Sequence, residues 1–355
     1  MAANNRLLIL TKGSRINPAS RYRFYQFLPY LEEAGIQCQV EPFFDDEYYQ
    51  LKHAGIAPTR MLPYIAGRYA RRLKLLAGLK KHHFALAAVE NQVMPYEPGL
   101  GEAILAARGV PFTLEFDDAI YLTRFHGSKL TRTLKAATHV IVGNQHLYDY
   151  AIGHTRKVEV VPTVVDMARY RAAAAVRKPK NRFVVSWIGL PVNFPYLATV
   201  EPALARLAHE FPLEFRVISA GSYNLPGVPV HFVPWSEEGE VMALAESHAG
   251  IMPLPDQEWE RGKCGLKLIQ YMATGLAAVC SPVGVNRDLV SHGRNGMLAT
   301  TTAQWEQCLR TLCFDAAARD AMGEQARQTI EERYSLQSWG PRLALRYREL
   351  MGLDR

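Results

Sequence analysis

An α/β architecture of two parallel-sheet domains follows from three observations. Short Val-, Ile- and Leu-rich runs alternate along the chain with longer segments of helical periodicity, the pattern of repeated βαβ units. The alternation breaks once, near Arg171, in the Ala- and Lys-rich stretch "RAAAAVRKPKN". At 355 residues the chain is also too long for a typical single core. The expected division is a domain over 1–170, a connector over 171–182, a second domain over 183–335 and a closing helical segment over 336–355.

The first series opens with "RLLILTKG" from Arg6, a short buried strand, then the loop "SRINPAS" and a helix starting at Ser20, a favourable N-cap. Further strands read as "QCQVEPFF", "FALAAVEN", "PFTLEFDD", "THVIVGN" and "KVEVVPTVVD", with helices between them. The second series runs "RFVVSWIG", the helix "TVEPALARLAHEF", then "EFRVISAG", "VPVHFVP", "HAGIMPLP" and "LAAVCSP", and ends in helices after Thr302. Two such halves make two Rossmann-like domains. Folds of this kind take ligands at the C-terminal ends of their strands, so a cleft between the domains is the expected site.

The net charge of +7 suggests nucleic acid until its location is considered. Lys52, Arg60, Arg68, Arg71, Arg72, Lys74, Lys80 and Lys81 fall in a stretch without one acidic residue, and removing those eight from +7 leaves −1. Leu62, Ile65, Tyr69, Leu73 and Leu76 recur there at helical spacing, so residues 60–81 form an amphipathic helix with a basic side. Two readings stand: an anionic membrane surface bound by that side, or a helix packed on its own domain with solvated cations. Nucleic acid is disfavoured as a partner, because no aromatic residues interleave with the cations and no binding motif is present. Five cysteines without CxxC or Cys/His spacing are expected to be reduced and mostly buried. No apolar run reaches the ~20 residues of a membrane span, and the N-terminal apolar core is too short for a signal peptide. A cytoplasmic location is expected, with the membrane reading putting the protein at the inner face.

The run "HAGIMPLPDQEWERGKCGLKLIQYMATGLAAVCSPVGVNRDLVSHGRNGML" resembles the donor-binding segment of the GT4-like (glycosyl transferase group 1) enzymes of GT-B fold. It carries Gln270 to Gly275 where that family has its E-A-M-A-x-G helix, then Ser281 to Asn286, then His292 to Leu298. "VEVVPTVVD" and "FVVSWIG" are similar to the family's strands on either side of its linker. The resemblance implies a GT-B fold, α/β with two Rossmann-like domains facing each other across a cleft. It also implies a retaining glycosyltransferase that takes a nucleotide-diphosphate sugar as co-substrate, without a resident cofactor or metal. The placement of charge, in the basic helix and in the arginines of the first loop, rather than the resemblance, points to a glycan or lipid-linked acceptor near a membrane, in polysaccharide or glycolipid assembly.

Departures from the family pattern sharpen the site. Its two glutamates, eight apart, correspond in register to Gly262 and Gln270, so both carboxylates are gone unless Glu258 or Glu260 substitutes. The Arg and Lys that follow the first donor-domain strand are absent too, since "LPVNFPYL" comes after Gly189. Lys263 and Lys267 are four apart and lie at or just before a helix N-terminus, so they are the candidates to neutralise the diphosphate. The alternative is a pair of solvated surface lysines. The backbone amides of Gly284, Val285 and Asn286 are a second candidate phosphate cradle, and Gln270 a hydrogen-bonding group for a sugar hydroxyl. In the first half, Asp117 and then Asp118 are the candidate catalytic carboxylates, one of them expected to serve as a helix N-cap. Glu90, Asn91 and Gln92, ending the preceding strand, are the other candidates on the acceptor side, and Arg15, Arg21 and Arg23 would meet the acceptor or the phosphates, the alternative for the arginines being ordinary surface positions. "DD" at 117–118 and "DDE" at 45–47 are the only close carboxylate groups, and neither suits a metal. With both glutamates lost, a non-catalytic sugar-nucleotide-binding protein of the same fold is the second functional reading.

Overall fold

The computed structural model describes residues 4–354 apart from 54, 81, 125, 172, 174 and 175. The chain forms two compact units, Met1–Thr163 with Trp339–Arg355, and Val164–Ser338.

The first unit is a parallel sheet of β1 (Arg6–Gly13), β2 (Gln37–Phe44), β3 (Leu86–Glu90), β4 (Phe112–Phe116), β5 (His139–Val142) and β6 (Val158–Val160). Its order is β2-β1-β3-β4-β5-β6. Leu7 to Leu10 of β1 are at most 1% exposed, because helices cover both faces of a parallel sheet and its central strands must be apolar throughout. The helix expected from Ser20 begins earlier and is broken. Asn17 caps Pro18–Arg23 by accepting from Ser20 N, and after a 3-10 turn the helix resumes at Leu28–Glu33. Ser20 is thereby freed to point its hydroxyl into the sheet end. The closing helix Leu336–Met351 packs from Trp339 onward on this unit. A Cβ at Gly340 would lie 2.6 Å from the Tyr30 ring, and Arg348 Nη1 donates to Ala34 O at 2.7 Å.

The basic helix is Leu62–Gly78, and two of its cations are internal. Arg68 donates to Phe43 O, Pro42 O and Asp45, while Arg72 donates to Val93 O and Glu41 O. These guanidiniums satisfy carbonyls at the end of β2 and after β3 and so leave the basic surface, a correction to the basic side expected of the helix over 60–81. Arg60, Arg71, Lys74 and Lys80 remain exposed, and Lys81 lies outside the described residues. Asp45, the first residue of the close carboxylate group at 45–47, is held by Arg68 at 2.5 Å and by the Tyr64 hydroxyl.

The second unit holds β7 (Phe183–Ile188), β8 (Leu213–Ser219), β9 (Val230–Pro234), β10 (Ala249–Met252), β11 (Ala277–Cys280) and β12 (Met297–Leu298). All are parallel, in the order β12-β11-β10-β7-β8-β9. Its core gathers Trp187, Phe215 and Trp305. The chain changes unit at Val164, ahead of the expected connector. Val165 bridges Ser335, Arg169 donates to Glu237 O, and Arg327 donates to Tyr170 O, so these contacts fasten 164–170 to the second unit. Residues 172, 174 and 175 of that connector lie outside the described residues. Cys264, Cys280 and Cys308 are buried free thiols, with Cys38 and Cys313 half-buried. Among the described residues no helix is long and apolar enough to cross a membrane.

Candidate functional site

In the second unit the chain leaves β7 in opposite lateral directions, toward β8 on one side and, after a crossover, toward β10 on the other. That topological switch opens a crevice beyond the C-terminal ends of β7 and β10. Tyr271 fixes its floor. The hydroxyl accepts from Ile188 N at 3.0 Å and donates to Ile251 O at 3.1 Å, tying the two strand ends together. The ring can cross there only because residue 250 is glycine, where a Cβ would fall 2.4 Å from it.

Tyr271 belongs to the helix Leu266–Ala273, which starts behind Gly265 in the left-handed conformation (φ 71°). Lys267 lies in its first turn, with Nζ 4.4 Å from the centre of the Trp187 ring, a cation–π contact. Gly189 makes room for this: a Cβ there would stand 2.7 Å from both Lys267 Nζ and the Trp187 ring. Burial pushes the Lys267 amine down to about 7, and the charge of Lys263 adds to the shift. A helix face shared by the two lysines is not what joins them. Lys263 precedes the helix, in an irregular turn, with Nζ 5.6 Å from the Trp259 ring and 6.0 Å from that of Tyr196. The loop, not helical periodicity, sets that second cation near the first.

The turn after β11 carries the other predicted donors. Gly284 adopts φ 52°, and a Cβ there would lie 2.6 Å from Arg261 O, so only glycine fits. Asn286 N donates to Val283 O at 3.2 Å, which removes one of the three amides from the expected cradle and leaves those of Gly284 and Val285. The Asn286 side chain is fully buried, donating to Ser281 O at 3.0 Å, and its Oδ1 has no hydrogen-bond partner among the described residues. Gln270 is 3% exposed in the Leu266–Ala273 helix, one turn beyond Lys267. Of the two glutamates offered as substitutes, Glu258 is exposed and Glu260 is buried, accepting from the Tyr196 hydroxyl. Trp187, Tyr196 and Trp259 are the parts of this cluster that sequence reasoning missed. Aromatic residues in a strand or loop read as core, and nothing local says that a lysine will rest on them.

In the first unit the switch point lies between β1 and β3, and a carboxyl fills it. Glu90 Oε2 accepts from Lys12 N at 2.9 Å and Ser20 Oγ at 2.7 Å. Burial pushes its pKa up to about 7, opposed by those two bonds and reinforced by the Asp117 charge. Asn91 follows in the left-handed region (φ 59°). Glu115, 1% exposed, pairs with Arg23 Nε at 2.6 Å. Burial raises this carboxyl, Arg23 opposes, and the Asp117 charge again adds. The Asp117 charge is thus felt by both buried glutamates at the ends of β3 and β4. Asp117 and Asp118 are half-buried at that edge, and neither is a helix cap: the N-cap positions that follow are Ala119 and His126.

The three arginines separate. Arg15 is exposed, whereas Arg21 and Arg23 are 3% and 2% exposed. Arg23 also donates to Val161 O at 2.8 Å, so it is an internal ion-pair partner of Glu115 rather than a cation offered to an acceptor. A missed polar group is His126, whose Nδ1 lies 2.5 Å from Thr123 Oγ1. Burial, with the charges of Lys129 and Lys12, pushes its pKa down to about 4, which keeps the ring neutral. Lys129 also braces the loop after β3, reaching Gln92 Oε1, Glu97 Oε1 and Glu102 Oε1 at 3.2, 2.8 and 3.3 Å. Among the described residues no three His, Cys, Asp or Glu side chains converge as metal ligands.

Residues 196–315 match the family model described as glycosyl transferases group 1. No curated protein sequence matches the chain. Solved structures similar to it include the sucrose-phosphate synthase of Thermosynechococcus elongatus, 14% identical, covering 98% of this chain and 99% of that one at a TM-score of 0.70. Anabaena HepE in complex with UDP-glucose is 16% identical, covering 96% and 98% at 0.71. A glycosyltransferase of Rickettsia africae is 12% identical, covering 98% and 99% at 0.71. At these identities the likeness is one of fold, and that fold is GT-B.

Proposed function

We propose that this chain, of GT-B fold and carrying the glycosyl transferases group 1 segment, is a glycosyltransferase that takes a nucleoside-diphosphate sugar as donor. The observation that carries the reading is Lys267 at the switch point of the second sheet. A cation held over Trp187, in the first turn of a helix and beside Lys263, is arranged to await an anion. The amides of Gly284 and Val285 supply further donors to phosphate oxygens. The UDP-glucose complex of the Anabaena protein supports a hexose nucleotide as the donor class.

In the retaining reaction that we assign, the acceptor hydroxyl approaches the anomeric carbon on the face from which the diphosphate leaves. The C–O bond to phosphate breaks as the new glycosidic bond forms, and the hydroxyl proton passes to the departing phosphate oxygen. No nucleophilic side chain is needed. The protein contributes orientation, through Gln270 and Glu260 toward the sugar, and stabilisation of the charge that develops on the diphosphate, through Lys263 and Lys267. Asp117 is the group assigned to position the acceptor. A glycan or lipid-linked acceptor near a membrane is the finer proposal, supported by the exposed cations Arg60, Arg71, Lys74 and Lys80 beside Leu62, which is 61% exposed.

Gln270 in a carboxylate's place favours one other reading, a protein that binds the nucleotide sugar without turning it over. A donor screen with several nucleotide sugars, read for hydrolysis and for transfer to a panel of glycan and lipid-linked acceptors, separates the two. Release of the nucleoside diphosphate with any donor supports the enzyme. Binding without release across the whole panel supports the second reading.

A further inference from the structure

The second unit contains a cavity of about 690 Å³ at the edge of its sheet opposite to the site above. Phe183 opens β7, His248 immediately precedes β10 and Gly275 precedes β11, so the walls are the N-terminal ends of parallel strands whose C-terminal ends carry the donor site. Five cations, Lys178, Lys180, Arg182, Arg319 and Arg327, face two acids, Asp320 and Glu324.

The arginines are engaged within the protein. Arg182 donates to Glu214 at 2.7 Å, Arg319 to Leu312 O at 2.9 Å, and Arg327 to Tyr170 O at 3.2 Å. The lysines are not: among the described residues neither Lys178 nor Lys180, which is exposed at the rim, makes a hydrogen bond or an ion pair. Lys178 is half-buried, and burial holds its amine below the ordinary value, with the Asp320 charge opposing and that of Arg319 adding. An ammonium drawn out of water without a hydrogen-bonded partner is costly, and an anion would relieve it. The segment presenting it is pinned. His248 accepts from Val184 N at 3.0 Å and makes a hydrogen bond to the Pro179 backbone, and burial pushes its pKa down to about 4, so the ring stays neutral in both roles.

The remaining surface defines what the anion is attached to. Phe183 and Phe211 provide an apolar wall, while at the rim exposed Glu324, and exposed Asp320 with the oxygens left over from its pair with Arg319 Nε at 3.4 Å, can accept from hydroxyl groups. We infer that this cavity binds a phosphorylated sugar or polyol, with its phosphate against Lys178 and Lys180 and its hydroxyls toward Asp320 and Glu324. The inference stands apart from the donor site.

Isothermal titration of the full chain with glucose 6-phosphate, glucose and inorganic phosphate tests it, with Lys178→Ala/Lys180→Ala and Lys267→Ala as variants. Glucose 6-phosphate is expected to bind more tightly than inorganic phosphate, glucose not at all, and saturating UDP not to displace it. The double variant should weaken glucose 6-phosphate roughly tenfold or more, with UDP affinity unchanged and a melting temperature at or above that of the wild type. Absence of binding, displacement by UDP, or unchanged affinity in the double variant overturns the proposal. Equal affinity for inorganic phosphate overturns the assignment of the sugar body. Loss of glucose 6-phosphate binding in Lys267→Ala would move it to the donor site and overturn the second cavity. Unchanged UDP affinity in that variant counts only against the donor reading.

Discussion

Lys267→Ala separates a phosphate-binding lysine from a structural one by moving stability and affinity in opposite directions. Its amine stands at about 7 instead of the ordinary 10.5, so the folded protein binds fewer protons than the unfolded chain between those values. Stability therefore rises with pH across that window, and the full cost of the buried charge is present below it. Alanine removes the cost, and the variant should melt at or above the wild-type temperature at neutral pH. Donor affinity should fall. A charged hydrogen bond to phosphate contributes ~1.5–3 kcal/mol, equivalent to roughly 10- to 150-fold in Kd, reduced about twofold at pH 7 because half the amines are neutral there. UDP-glucose is the suitable titrant, since its diphosphate keeps a constant charge near neutrality. From about pH 6 to pH 8 the charged fraction of an amine near 7 drops about tenfold, so wild-type affinity should weaken by up to that factor, and the alanine variant should show no such slope. Titration calorimetry at both pH values reads each quantity. An affinity within twofold of wild type, or a wild-type affinity flat with pH, refutes the phosphate role.

The same geometry makes three further predictions. In Gly189→Ala the new methyl meets Lys267 Nζ and the Trp187 ring at 2.7 Å, so donor affinity should fall about tenfold at a stability cost of ~1–3 kcal/mol; unchanged UDP-glucose binding would show that the ammonium position is irrelevant. Arg23→Ala strands Glu115 as an unpaired buried carboxyl and should cost ~3–5 kcal/mol in urea unfolding, part of it recovered by adding Glu115→Gln. A loss below ~1 kcal/mol would mean that the pair is not internal. Glu90, about 7 in the folded chain against an ordinary 4.5, makes the folded state bind more protons between those values, so its contribution lowers stability as pH rises through them. Glu90→Gln should flatten the pH profile there and leave the variant the more stable above pH 7; an identical slope in both proteins would be the contrary result.

Local pattern was enough to place the strands. "RLLILTKG" coincides with β1 because a parallel strand covered on both faces has to be largely apolar; "QCQVEPFF" coincides with β2, a half-buried edge strand whose polar residues Gln37, Gln39 and Glu41 alternate with Cys38, Val40 and Pro42. The glycosyl transferases group 1 segment was legible from its motif stretches, Gln270 to Gly275, Ser281 to Asn286 and His292 to Leu298, in which Gly275, Gly284 and Gly293 adopt positive φ values that side chains rarely take. Helix starts were read less well, since Asn17 and Ser20 are both good caps and the choice between them depends on Glu90, seventy residues away, claiming the serine hydroxyl.

Which charges serve a site is the part that neighbours distant in sequence settle. Arg23, Arg68 and Arg72 look like surface cations, and each is turned inward by a carboxylate or carbonyls from another element. Lys263 and Lys267 were chosen for a helical spacing that does not join them, yet a loop and the Trp187 face bring both cations to one place. A residue's type and local period determine the element it can form. Whether its charge meets water, a partner or an approaching anion depends on burial and on the dielectric around it, and those arise only when the sheets assemble.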